Sequence, residues 1–202
     1  MKISKIEVQK RNKKRSNIYL NGEYRLALDN EIILKYDLKE GDEIDDVQLK
    51  GLLFAEQKQR LKQRAYKLLR YRNRSVAELK ERLIKLGYEP DLIDAVLYEL
   101  KTEGILDDER FAQNFVDNYT NLKPRGNIFI IKELRKRKID EQHIQELVKE
   151  RDEIPLIKKM IEKRYGKFDK KDFRQKGKIF RYLISKGFTP QSIAQVLGED
   201  YE

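Results

Sequence analysis

The chain has 202 residues, 45 Lys or Arg against 35 Asp or Glu, and a formal net charge of +10. Charged residues make up 40 %, against about 25 % in an ordinary soluble domain, and a hydrophobic fraction of 39 % allows only a thin core. With no Cys there is no disulfide, no thiolate-bound zinc and no thiol nucleophile. No apolar run nears the ~20 residues of a membrane helix, and the N-terminus lacks the apolar stretch of a secretory signal, so a cytoplasmic chain with no membrane partner is expected. The excess of Lys and Arg points to nucleic acid or a nucleoprotein surface.

Residues 1–50 read as a small β-rich module. Ile3, Ile6 and Val8 alternate loosely with charges. Ile18-Tyr19-Leu20, Asn21-Gly22 and Tyr24-Arg25-Leu26-Ala27-Leu28 form a hairpin signal, because Asn-Gly accepts the two positive φ angles of a type I′ turn. Asp29 is placed to cap a short helix carrying Ile32, Ile33 and Tyr36, and Lys39-Glu40-Gly41-Asp42 reads as a turn.

From about residue 47 the pattern is helical. Leu61, Ala65, Leu68 and Leu69 recur at helical spacing, as do Val76, Leu79, Leu83 and Leu86, and Ile93, Val96, Leu97 and Leu100. Pro90, Pro124, Pro155 and Pro190 are read at helix starts, where a missing N–H costs nothing. The stripes repeat. Leu79, Leu83, Gly87, Tyr88, Ile93, Val96 and Leu97 match Ile130, Leu134, Lys138, Ile139, Ile144, Leu147 and Val148. They match again at Ile179, Leu183, Gly187, Phe188, Ile193, Val196 and Leu197. A further helix precedes each copy, near residues 58–72, 108–120 and 154–165. The expected fold is mainly α: tandem three-helix repeats, about nine helices, forming an elongated curved solenoid behind the β-rich module. Repeats are expected at 51–105, 106–152 and 153–202.

Charge follows the repeat. Residues 58–85 hold eleven basic residues against Glu78 and Glu81, and residues 158–186 hold twelve against three. Residues 2–15 and 123–138 are also basic, while Asp37–Asp46, Glu89–Glu109 and Asp140–Glu153 are acidic. A single run reads as a solvated face, and acids at helix starts complement the helix dipole. Three repeats stacked in register would align their basic helices into a stripe suited to a polyanion. The expected binding residues on that stripe are Arg70, Arg72, Arg74 and Lys80, then Arg125, Lys132, Arg135 and Lys136, then Arg174, Lys178 and Arg181. Arg74, Arg125 and Arg174 are repeat-equivalent and expected just before each second helix. The aromatics Tyr66, Tyr71, Phe111, Phe115, Tyr119, Phe173 and Phe180 read first as core, with base stacking by Tyr71 or Tyr119 the alternative.

No catalytic constellation is legible. His143 is the single histidine and reads as a surface residue. Gly166-Lys167 and Gly177-Lys178 lack the rest of a phosphate-binding loop. Asp107-Asp108-Glu109 and Asp45-Asp46 read as helix N-terminal turns; a metal-dependent nuclease would need such carboxylates to converge. No metal site, cofactor or enzymatic activity is expected.

Tyr71-Arg72-Asn73-Arg74-Ser75-Val76-x-Glu78-Leu79-x-x-Arg82-Leu83-x-x-x-Gly87 resembles the central signature of the RecX regulatory proteins. Ile93, Val96 and Leu100, then Leu106-Asp107-Asp108-x-x-Phe111-Ala112, then Gly126, Glu133-Leu134 and Ile139 continue it, over roughly residues 60–198. Lys138 stands where the family pattern has Gly. The resemblance implies a non-enzymatic modulator of the RecA recombinase in DNA repair, recombination and the SOS response. It implies a RecA filament as partner, with single- or double-stranded DNA met weakly or through the filament, and reduced ATP hydrolysis, strand exchange and repressor cleavage. A monomer is expected. The alternative from charge alone is an autonomous DNA- or RNA-binding helical module.

Overall fold

The computed structural model describes residues 1–166 and 172–198; the expected third repeat therefore includes residues 167–171 and 199–202, which lie outside the described ones. The chain divides into two compact units, Met1–Arg72 with Leu79–Glu103, and Asn73–Glu78 with the chain from Gly104 on.

In the first unit, β1 (Ile3–Val8), β2 (Arg15–Leu20) and β3 (Glu23–Asp29) form an antiparallel sheet in chain order. Asn21 at φ +50° and Gly22 at φ +89° make the expected two-residue turn, closing on the Leu20–Glu23 pair. The Lys39–Asp42 turn returns to the start of β1: the Gly41 N–H donates to Ile3 O, and the Ile3 N–H to Asp42 O. The Asp29 carboxylate caps α1 (Asn30–Lys35) as expected by accepting from the Glu31 N–H. Ile3, Ile18, Leu20, Leu26, Leu28, Ile32 and Ile44 form a core that Leu49 and Leu52 complete.

Leu49 and Leu52 belong to α2 (Asp46–Tyr71), a 26-residue helix opened by an Asp45/Gln48 capping box. It runs without interruption through residue 50, so one helix serves both the β-rich core and the first repeat. Buried Glu56 holds it to the sheet, accepting from Arg15 Nη1 and from the Asp29 N–H at 2.8 Å. Further along, α2 packs on α4 (Pro90–Thr102), and Leu61 and Ala65 are fully buried, as are Ile93 and Val96 of α4.

Three tandem three-helix repeats follow one another as expected. The first comprises α2, α3 (Val76–Ile84) and α4. The second comprises α5 (Asp108–Asp117), α6 (Asn127–Lys136) and α7 (Glu141–Lys149). The third comprises α8 (Ile154–Tyr165), α9 (Phe173–Ser185) and α10 (Pro190–Leu197). With α1 that makes ten α-helices among the described residues. The register holds in burial: Leu79, Ile130 and Ile179, then Leu83, Leu134 and Leu183, then Ile93, Ile144 and Ile193 are all 0 % exposed.

After each second helix the chain makes the same turn. The N–H groups of Tyr88, Ile139 and Phe188 donate to the carbonyls of Leu83, Leu134 and Leu183, the longer bond of a Schellman cap. The left-handed position is Gly87 at φ +84° and Gly187 at φ +79°. In the second repeat it is Lys138 at φ +56°, so the turn survives without glycine.

Three expectations change. Pro124 lies two residues ahead of the α6 N-cap, Gly126, whereas Pro90, Pro155 and Pro190 do occupy first helical turns. Arg174 lies inside α9, because Asp172 caps that helix and starts it a turn early relative to α3 and α6. Tyr71 and Phe173 are 85 % and 82 % exposed: each ends a helical stripe beyond the last packed turn. Phe111, Phe115, Tyr119 and Phe180 do join the cores of their repeats, and Tyr66 is half-buried.

Candidate nucleic-acid and filament interface

Helical spacing groups the second- and third-repeat cations. Lys132, Arg135 and Lys136 share one face of α6, opposite buried Ile130 and Leu134. Arg174, Lys178 and Arg181 share one face of α9, opposite Ile179 and Leu183. All six are exposed, and among the described residues no carboxylate pairs with any of them except Arg135. The Arg135 guanidinium grips Glu141 bidentately, Nε at 2.8 Å and Nη2 at 2.6 Å. That grip, with a hydrogen bond from Gln145, holds the Glu141 carboxyl down at about 2.

The first repeat differs. Arg70 and Arg72 are exposed at the end of α2 and Arg74 is half-buried before α3, while Lys80 pairs with Asp94. On α2, Lys58 meets Glu99 at 2.7 Å and Lys62 meets Glu103, both carboxylates on or just after α4. Part of the alternation of basic and acidic helices is therefore internal pairing. Arg125 is half-buried with its guanidinium 5.4 Å from the centre of the Phe129 ring.

A half-buried guanidinium and a buried carboxylate at the joint between the second and third repeats are the polar residues that sequence reasoning missed. Arg151 donates to Thr120 Oγ1, to Asn127 Oδ1 and to the carbonyls of Tyr119 and Arg125. It thereby ties the wide turn Asn118–Leu122 that ends α5 to the segment leading into α6, sharing the Tyr119 carbonyl with the Arg125 N–H. Burial pushes the Arg151 guanidinium down from its ordinary value, and Glu153 partly restores it. Glu153 itself is 3 % exposed and accepts from the Asn127 N–H, the Thr189 N–H and Thr189 Oγ1. Both sit in an acidic stretch that looks, in sequence, like any solvated segment.

Asp107 and Asp45 cap α5 and α2 as expected, and no group of three His, Asp or Glu among the described residues is placed to hold a metal ion. His143 is half-buried rather than on the surface, with Nε2 enclosed and without a partner among the described residues. No helix is long and apolar enough to cross a membrane among the described residues.

A three-strand module followed by three tandem three-helix repeats, with exposed basic faces on α6 and α9, defines a helical-repeat protein. The Regulatory protein RecX N-terminal domain family matches residues 1–45, and the first, second and third RecX three-helix domains match 62–100, 107–148 and 152–197. The chain belongs to the RecX family. It is 33 % identical to the regulatory protein RecX of Clostridium tetani, over 98 % of this chain and 94 % of that one. It is 31 % identical to the regulatory protein RecX of Halalkalibacterium halodurans, over 98 % and 77 %. A crystal structure of regulatory protein RecX superposes with a TM-score of 0.76 at 25 % identity, covering 98 % of this chain and 99 % of that one. The RecX structure from Lactobacillus salivarius shares the fold, with a TM-score of 0.59 at 20 % identity over 71 % and 96 %.

Proposed function

We propose that this protein is a non-enzymatic regulator that binds RecA filaments on DNA and mostly inhibits their ATPase, strand exchange and co-protease activity. Membership of the RecX family over nearly the whole chain carries the reading. The exposed cations of α6 and α9 support it, since two consecutive repeats each offer an exposed basic helix face on which only Arg135 is paired with a carboxylate among the described residues. Successive repeats engage successive anionic positions along the filament and obstruct its groove. The protein acts as a cytoplasmic monomer without a cofactor, and meets DNA weakly or through the filament.

The test is RecA ATPase on single-stranded DNA with this protein titrated in, together with co-sedimentation. The expected result is a falling rate with this protein in the pellet; an unchanged rate without co-sedimentation rejects the reading. The surface is tested by joint Lys132→Glu, Lys136→Glu, Lys178→Glu and Arg181→Glu. These positions are exposed, so the helical circular dichroism stays while inhibition is lost. Reversal of Arg74, Arg125 and Arg174 also bears on the surface, but Arg74 and Arg125 are half-buried and packing enters that result.

A further inference from the structure

The β1–β2 loop, Gln9–Lys14, is an ordered cationic tip in a module to which the filament reading gives no role. Lys10, Arg11, Lys13 and Lys14 are all exposed, and there is no acidic residue in sequence between Glu7 and Glu23. Among the described residues none of the four has a carboxylate within ion-pair distance. The fold carries Asp29, Glu31 and Glu56 to this end of the module, and each is engaged elsewhere. Asp29 caps α1, Glu31 accepts from Gln59, and Glu56 accepts from Arg15.

The loop is held in shape by its backbone rather than by its cations. The Gln9 N–H donates to Arg15 O at 2.9 Å, and the Arg15 N–H to Asn12 O at 3.0 Å. From the start of α1, the Asn30 N–H reaches Lys14 O at 2.9 Å and Asn30 Nδ2 reaches Lys13 O at 3.0 Å. Four like charges within five residues repel one another, so the arrangement does nothing for folding; a pre-ordered loop does lower the entropy cost of binding. The acidic Lys39–Glu43 segment lies along β1, with Glu43 bridged to Lys2 and the Glu40 carboxylate accepting from the Ile6 N–H at 2.8 Å, three residues short of the loop.

We infer that this loop is a nucleic-acid contact of its own, taking the phosphodiester backbone and reading no bases. Gln9–Lys14 contains no aromatic residue to stack on a base. Duplex DNA, with a charge every ~1.7 Å, fits better than a single strand. The contact does not require a RecA filament.

The test is fluorescence anisotropy of the whole chain with a labelled duplex and a labelled single strand, between about 50 and 200 mM salt. The variant combines Lys10→Gln, Arg11→Gln, Lys13→Gln and Lys14→Gln and keeps Asn12, Arg15 and Asn30. Its thermal melt is expected to match the parent. The slope of log affinity against log salt should fall by about 3–4 on duplex, at ~0.9 for each phosphate no longer neutralised. Affinity should drop at least tenfold, and less on the single strand. No duplex binding by the parent chain, or an unchanged slope in the variant, overturns the inference. The RecA ATPase assay on the same variant separates this site from the filament surface: retained inhibition without duplex binding supports it. Abolished inhibition with intact duplex binding shows that the loop faces protein and overturns it.

Discussion

The two joints between successive repeats use the same geometry and different chemistry. At each, the start of a second helix sits on the turn after the second helix of the following repeat. At the first joint a side chain spans the gap: Ser75 Oγ donates to Arg137 O at 2.9 Å. At the second joint the backbones meet: the Gly126 N–H donates to Lys186 O and the Ile128 N–H to Gly187 O, both at 3.0 Å. Ser75 and Gly126 are equivalent in the repeat, so the absence of one side chain lets two backbones touch. A carboxylate from the next repeat's first helix closes each joint as well. Asp108 accepts the Val76 N–H, and Glu153 accepts the Asn127 N–H. Glu153 lies deeper and serves Thr189 too, while Arg137 at the first joint stays half-buried on Glu78, Glu133 and the Phe115 ring. The first joint is built from adjustable side chains and the second from backbone and buried charge, so the second should be the more brittle.

Removing Glu153 should have the largest effect. Glu153→Ala strands two N–H groups and a hydroxyl and leaves half-buried Arg151 without its nearby counter-charge. The expected loss is about 4 kcal/mol, in the range found for breaking one side of a buried ionic site. A thermal melt should drop by about 10 °C or more, at roughly 2–4 °C per kcal/mol for a chain of this size. Glu153→Gln, which keeps one acceptor, should recover part of it. If both variants melt like the parent, the second joint is not the brittle one.

Gly126→Ala comes next. A Cβ there would lie 2.1 Å from Gly187 O and from Phe188 Cα, closer than any side chain tolerates, and both neighbours are backbone that cannot rotate away. The expected cost is about 3 kcal/mol, the upper end for overpacking. Hydrogen exchange sharpens the contrast: the Asn127 and Ile128 amides should exchange more slowly than Val76, and Gly126→Ala should erase that difference.

The apolar register, and with it the repeat, was legible because a core position must be apolar in every copy. The Asn-Gly hairpin was legible because few dipeptides accept two positive φ angles. The joints were not. Glu56, Arg151 and Glu153 are charged residues inside charged runs, and only the fold separates a buried ion from a solvated one. The same limit divides the candidate site: Lys132 and Lys178 are exposed as a basic face requires, while Lys80 and Arg135 spend charge on Asp94 and Glu141. Tyr71 and Phe173 read as core because periodicity says which face a residue takes, not whether a neighbour covers it.

Ser75→Ala should cost about 2 kcal/mol, because at a buried site it removes two hydrogen bonds: the one Oγ donates to Arg137 O and the one it accepts from the Glu78 N–H as the cap of α3. The modest size is itself the point, since the small side chain leaves the joint's spacing intact.

The smallest effect should come from Lys138, in the turn that receives Ser75. A lysine at φ +56° carries a steric penalty that glycine escapes, and the turn's hydrogen bonds, Lys138 N–H to Arg135 O and Ile139 N–H to Leu134 O, do not depend on its side chain. Glycine also adds freedom to the unfolded chain, which offsets part of the gain. Lys138→Gly should therefore stabilise by under about 1 kcal/mol, a rise of one to a few degrees in the melt. The matching change at the second joint, Gly187→Ala, should do the opposite and by more. Its Cβ would meet Phe129 Cβ at 2.5 Å in addition to the strain at φ +79°. Stabilisation at one turn and loss at its equivalent would show that the first joint has room to spare where the second has none; equal responses would show that the two joints differ in chemistry but not in tightness.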